Sequence, residues 1–126
     1  MRVLGIDYGK SKIGLAVGDT ETKLSEPLKV LSMSNVKCQM SNIVQENNIC
    51  KIIVGLTGGR MDEEIKDFGE KLAKETVLPV EYFDETLTTQ DAQRILINSG
   101  GKRKKRKEKE DAVAAALMLE NYLNSL

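Results

Sequence analysis

The chain predicts an α/β fold: one mixed five-stranded sheet that opens antiparallel and carries helices on both faces. Three observations carry this expectation. Residues 3–7 and 13–17 are apolar runs joined by a five-residue turn, which reads as a strand pair. Residues 51–55 form a short run, mostly apolar, between two helical patterns, as expected of a strand covered on both sides. After this run, strand and helix patterns alternate, which favours a single sheet with helices packed against it.

Each element follows from local chemistry. Pro27 precedes a third strand at residues 28–31. Ser34 is the expected cap of a helix in which Val36, Met40, Ile43, Val44 and Asn47 fall at helical spacing, ending near Asn47 and Asn48. Gly58 and Gly59 mark a loop, and Asp62, Glu63 and Glu64 then suit a helix N-terminus through the macrodipole. Ile65, Phe68, Leu72 and Ala73 line one face of that helix, which stops before Pro79. Residues 80–83 form the last strand and run into Asp84 and Glu85. Thr88 or Thr89 can cap a further helix with Ala92, Ile95 and Leu96 inward, ended by Gly100 and Gly101. The final helix is expected over residues 112–123, with Ala112, Ala115, Ala116, Leu119 and Leu123 inward.

Composition narrows the chemistry. The 126 residues are 40% hydrophobic, which suits one domain over 1–126 with a real core. No stretch approaches the ~20 apolar residues of a membrane span, and no signal-peptide core follows Met1, so a soluble cytoplasmic protein is expected. Cys38 and Cys50 are separated by eleven residues and sit in or beside apolar patterns, so both read as small core residues. The chain has no histidine, which removes Ser-His-Asp, Cys-His and histidine-ligated zinc chemistry. Its 19 basic and 19 acidic residues balance, yet Lys102, Arg103, Lys104, Lys105, Arg106 and Lys107 form one run, read as a basic loop over 100–108. The other 120 residues carry a net charge of minus six.

Three acidic positions stand out by location. Asp7 ends the first strand, Asp84 and Glu85 end the last, and Asp111 opens the final helix. In open α/β sheets, sites gather at the carboxyl ends of the strands. If the first and last strands are neighbours, their acids converge there. Asp111 lies four residues before Ala115 and eight before Leu119, so it faces the sheet. Crowded carboxylates repel one another unless a cation neutralises them, and an oxygen-only set suits Mg²⁺ or Mn²⁺. Two such ions about 4 Å apart can hydrolyse a phosphodiester without histidine. The basic run just before Asp111 could draw a phosphate backbone toward the acids; taken alone, it also reads as a solvated loop. Gly9, Gly14 and Gly18 let backbone or ligand come close to Asp7, although Asp-x-Gly alone is also ordinary turn chemistry. Residues 55–60 lack the Gly-x-x-x-x-Gly-Lys-Ser/Thr pattern and read as a turn. Tyr8, Tyr82 and Phe83 are too few for a base-stacking platform.

Four blocks, in order, resemble the YqgF or RuvX-like family, Holliday-junction-resolvase-like proteins also described as pre-16S ribosomal RNA nucleases. They are Gly5-Ile6-Asp7-Tyr8-Gly9 with Ile13-Gly14-Leu15-Ala16-Val17-Gly18-Asp19; Val54-Gly55-Leu56 with Met61-Asp62; Asp84-Glu85-Thr86-Leu87-Thr88-Thr89; and Asp111-Ala112-Val113-Ala114-Ala115-Ala116 with Tyr122-Leu123. The resemblance implies a ribonuclease-H-like fold and a divalent-metal site, Mg²⁺ or Mn²⁺, with Asp7, Glu85 and Asp111 as ligands and catalytic acids and Asp84 in reserve. It selects Glu85 over Asp84, which strand alternation alone does not decide. It also implies processing of the 5′ end of pre-16S ribosomal RNA, with the ribosomal subunit as a further partner and the monomer or dimer state left open. Lys12 stands where the family usually has arginine and joins the basic run as an expected nucleic-acid contact. Thr57 replaces a usual proline and Thr86 an arginine, which removes a bidentate phosphate donor.

Three further readings fit part of the pattern. A ribosome-assembly protein would bind nucleic acid through the basic run without cutting it, and a branched-DNA resolvase would use the same acids on another substrate. An ATP-binding lobe of the actin and sugar-kinase type shares the Asp7-x-Gly9 turn but needs a second lobe.

Overall fold

The computed structural model describes the backbone of residues 1–84 and 103–126, and the side chains of these residues apart from 103–109. Strands β1 (Arg2–Asp7), β2 (Lys12–Asp19) and β3 (Ser25–Ser32) form an antiparallel opening. A 3₁₀ turn (Met33–Asn35) leads into α1 (Val36–Glu46), followed by β4 (Ile49–Leu56), α2 (Asp62–Thr76), β5 (Val80–Asp84) and α3 (Arg103–Asn124). The sheet order is β3-β2-β1-β4-β5, with β4 parallel to both β1 and β5. The expected helix capped by Thr88 or Thr89 falls outside the described residues, as does Lys102. Among the described residues no helix is long and apolar enough to cross a membrane.

Alternation in the central strands explains the two-sided core. Leu4 and Ile6 of β1, Ile13, Leu15 and Val17 of β2, and Ile52 and Val54 of β4 pack with Met40, Ile43, Ile65 and Leu72 of α1 and α2. The intervening residues Val3, Ala16 and Ile53 meet Ala115, Met118, Leu119 and Leu123 of α3 on the other face. Pro27 lies within β3, where an edge strand tolerates a residue that cannot donate to the ladder. Gly69 sits inside α2 because a side chain there would overlap the Tyr82 hydroxyl, which donates to the Lys66 carbonyl at 3.1 Å.

Several expectations need correction. Ser34 lies in the 3₁₀ turn and Asn35 holds the N-cap position of α1; neither makes a side-chain cap. Cys38 and Cys50 are exposed rather than core residues, since Cys38 follows Val36 on the outer side of α1 and Cys50 points away from buried Ile49. Arg103, Lys104, Lys105, Arg106 and Lys107 belong to α3 rather than to a loop, and lysine and arginine are good helix formers. Asp111 consequently stands in the third turn of the helix, not the first. Finally, β1 and β5 are not neighbours: β4 runs between them.

Candidate active site at the carboxyl end of β1

Three glycines and an alanine prepare the floor on which α3 lies. On the α3 face of β2, the residues after Lys12 are Gly14, Ala16 and Gly18; on β1, Gly5 lies between Val3 and Asp7. A Cβ at Gly5 would meet Leu119 Cβ at 3.1 Å and the Ala115 carbonyl at 3.3 Å, and one at Gly18 would meet Leu123 Cδ1 at 2.9 Å. At Gly14 a Cβ would overlap the backbone carbonyl of Asp111. The helix backbone thus rests directly on Gly14. The glycines near Asp7 serve this helix, with Gly9 making room for the Lys12 carbonyl within the turn, 2.6 Å from a Cβ built there.

This contact sets the relation between two of the acids. Gly14 is the register partner of Asp7 across the antiparallel pair, about 5 Å away between Cα atoms. Asp7 follows Val3 and Gly5 at the strand period, so it faces the same side of the sheet as α3. Asp7 and Asp111 therefore flank Gly14, one from the neighbouring strand and one from above. Both are partly buried. The Asp111 carboxylate pairs with Lys12, Oδ2 lying 3.5 Å from Nζ, and Lys12 starts the strand two residues before Gly14.

The third acid is described only in part. Asp84 ends β5 and pairs in register with Leu56, two strand spacings from β1, or about 10 Å. By alternation it shares the side of Tyr82, which meets α2, whereas Phe83 packs edge-on against Tyr122 of α3 at 5.9 Å. Asp84 is exposed and falls on the face opposite Asp7 and Asp111. Glu85 lies outside the described residues. Among the described residues no three His, Cys, Asp or Glu gather closely enough to hold a metal.

The surroundings on the α2 side are occupied by the chain itself. Asp62 accepts from the backbone N–H of Thr57 at 3.0 Å, the Thr57 hydroxyl at 3.2 Å and the Gly58 N–H at 3.1 Å. The 55–60 loop is therefore a turn whose amides at 57 and 58 already hold a carboxylate. Tyr8 turns away from Asp7 and packs against Phe68 with the rings tilted and their centroids 5.1 Å apart, its hydroxyl facing Glu64. Burial, then the charge and hydrogen bond of Glu64, push its phenol up. A groove of about 270 Å³ between α1 and α2, lined by Met33, Val36, Phe68 and Leu72, lies on the face away from Asp7 and Asp111. A groove of about 690 Å³ is lined in part by Lys12, the partner of Asp111, and by Ala112 and Val113, the two residues that follow it.

Sequence reasoning missed one polar cluster. Lys51 of β4 donates to Glu81 of β5 at 3.1 Å and to the Tyr122 hydroxyl of α3 at 3.2 Å. The Tyr122 hydroxyl, and then Lys51, hold the Glu81 carboxyl below its ordinary range; hydrogen bonds to Tyr122 and Glu81 push Lys51 up. These residues lie near the starts of β4 and β5, at the end of the sheet away from Asp7, and clip α3 to the sheet. The lysine in an otherwise apolar strand was the available signal.

The chain matches the family model described as RuvX, Holliday junction resolvase, over residues 1–125. It is 36% identical over 133 residues to a Rickettsia rickettsii protein named "Putative pre-16S rRNA nuclease", covering 98% of this chain and 86% of that one. A Rickettsia bellii protein of the same name is 35% identical with the same coverage. Among solved structures, Thermus thermophilus RuvC aligns with a TM-score of 0.60 at 18% identity, over 99% of this chain and 95% of that one. The Fowlpox virus resolvase in complex with Holliday junction DNA aligns with a TM-score of 0.62 at 14% identity, over 99% and 98%. These two similarities establish the fold.

Proposed function

Since the chain belongs to the RuvX family of Holliday junction resolvases, a nuclease class, we propose that it is a metal-dependent endonuclease that trims the 5′ end of pre-16S ribosomal RNA. Hydrolysis of a phosphodiester bond is common to the family description and to the relatives' name; the RNA substrate follows the relatives. The observation that carries the reading is that Asp7 and Asp111 each adjoin Gly14, at the carboxyl end of β1 and on one face of the sheet.

The donor set suits a hard cation. It is oxygen-only in a chain without histidine, and Asp111 already holds a positive charge, the Lys12 ammonium. Asp7 and Asp111 would hold the ion, with Glu85 as the third ligand; alternation leaves Asp84 on the other face. Mg²⁺ or Mn²⁺ supplies charge neutralisation and an activated water when bound. The chain's own part is positional. Gly14 seats Asp111, the β1–β2 register fixes Asp7, and the basic residues Arg103, Lys104, Lys105, Arg106 and Lys107, one to two turns before Asp111, attract phosphates. Lys102 extends that run.

The test is cleavage of a pre-16S precursor beside a four-way DNA junction, with Mg²⁺, Mn²⁺ or chelator. The precursor should be cut only with metal, and Asp7→Asn should lose at least about a hundredfold in rate while keeping its melting temperature. Salt-sensitive RNA binding without cleavage under any metal would instead support the assembly-factor reading, and preferential cutting of the junction would reassign the substrate to branched DNA.

A further inference from the structure

We propose that Lys12 is a tethered competitor for the metal position: its ammonium neutralises Asp111 until a divalent cation displaces it, and the displaced side chain then takes a phosphate of the incoming strand. The inference rests on the metal-nuclease reading above and adds to it a coupling between metal and substrate.

The Asp111 backbone rests on Gly14, which anchors the base of its side chain at the site. Lys12 reaches it at 3.5 Å on a long, flexible stem, with 41% of the Lys12 side chain and 31% of the Asp111 side chain exposed. A solvent cation can therefore approach the same oxygens. An exposed ion pair of this kind is weak, and a divalent ion carries twice the charge to a site where Asp7 stands on the other side of Gly14. The adjoining groove of about 690 Å³ gives the released side chain room. Its remaining lining, Pro27, Leu28, Lys29, Val30, Ala112 and Val113, offers no carboxylate. Lys29 lines the same groove, so the released ammonium adds to a positive patch that draws an anion. A nucleic-acid phosphate at the metal supplies one. By linkage, whatever metal does for RNA affinity, RNA does equally for metal affinity.

Calorimetric titration of Mg²⁺ into protein free of nucleic acid tests this in the wild type, Lys12→Gln and Lys12→Arg, each first checked for an unchanged melt. Lys12→Gln should bind Mg²⁺ about three- to five-fold more tightly, and Lys12→Arg should stay near the wild type. In cleavage assays Lys12→Gln should need less Mg²⁺ for half-maximal rate yet show a higher KM for RNA. Equal or weaker Mg²⁺ binding by Lys12→Gln would overturn the competition while leaving the metal site standing. Failure of all three proteins to bind Mg²⁺ would overturn the competition together with the metal-site reading.

Discussion

Gly14 is the residue on which the candidate site turns. Its hydrogen is in contact with the Asp111 carbonyl, and its backbone is the partner of Asp7, so one residue sets the relation of both acids. A methyl group at Gly14 overlaps helix backbone, which cannot rotate away; at Gly18 it meets Leu119 and Leu123 methyls, which can give way more readily, and the Leu24 carbonyl only at 3.1 Å. Gly14→Ala should therefore cost about 3 kcal/mol of stability by urea unfolding, clearly more than Gly18→Ala, because overpacking against a rigid element strains the fold. The glycines were legible in the sequence as places of close approach, but what approaches is α3 rather than a phosphodiester. The spacing that reveals this is long-range: Gly5, Gly14 and Gly18 match Ala115, Asp111 and Leu123 only once the helix is laid on the sheet. Lys12 was legible as a basic residue near Asp7, whereas its pairing with Asp111, ninety-nine positions away, was not.

Among the elements, α3 departs most from what the sequence suggests. Its buried face at Ala112, Ala115, Ala116, Leu119 and Leu123 follows from helical spacing. Its start does not, because six adjacent like charges suggest a solvated loop, while the same side chains favour a helix once the C-terminal half is packed. The Lys51, Glu81 and Tyr122 cluster holds that packed half to β4 and β5. Glu81 titrates lower in the folded chain than in the unfolded one, so its contribution is present above the ordinary carboxylate range and lost as the pH falls through the folded value. Lys51 is raised, so its contribution is lost only as the pH climbs past the ordinary lysine range. Glu81→Gln should lower stability at about pH 7 by less than about 1 kcal/mol, since the Glu81 side chain is 45% exposed. The gap from the wild type should narrow toward about pH 2, where the glutamate becomes neutral too. Thermal melts across that range decide it, and a gap independent of pH would mean that packing, not charge, is what the substitution removes.

At the scale of the molecule, strand type and number could be read from the chain, but strand order could not. Hydrophobic runs identify strands, whereas which strand lies beside which depends on how helices cross the sheet. The insertion of β4 between β1 and β5 moves Asp84 about two strand spacings from Asp7, and alternation turns it to the far face. The two acids left on one face beside Gly14, Asp7 and Asp111, come from the two ends of the chain. Absence of histidine, acids at strand ends and an inward acid on the last helix pointed to that pair. Their common position beside Gly14 depends on a register and a glycine contact that only the fold supplies.

The central claim is that Asp7 and Asp111 serve one centre, and a double-mutant cycle in metal-dependent cleavage of the pre-16S precursor tests it most directly. If the two acids act as a unit, Asp7→Asn and Asp111→Asn should each lose about as much rate as the double variant. Losses that multiply in the double variant would assign the acids to independent roles and contradict the account.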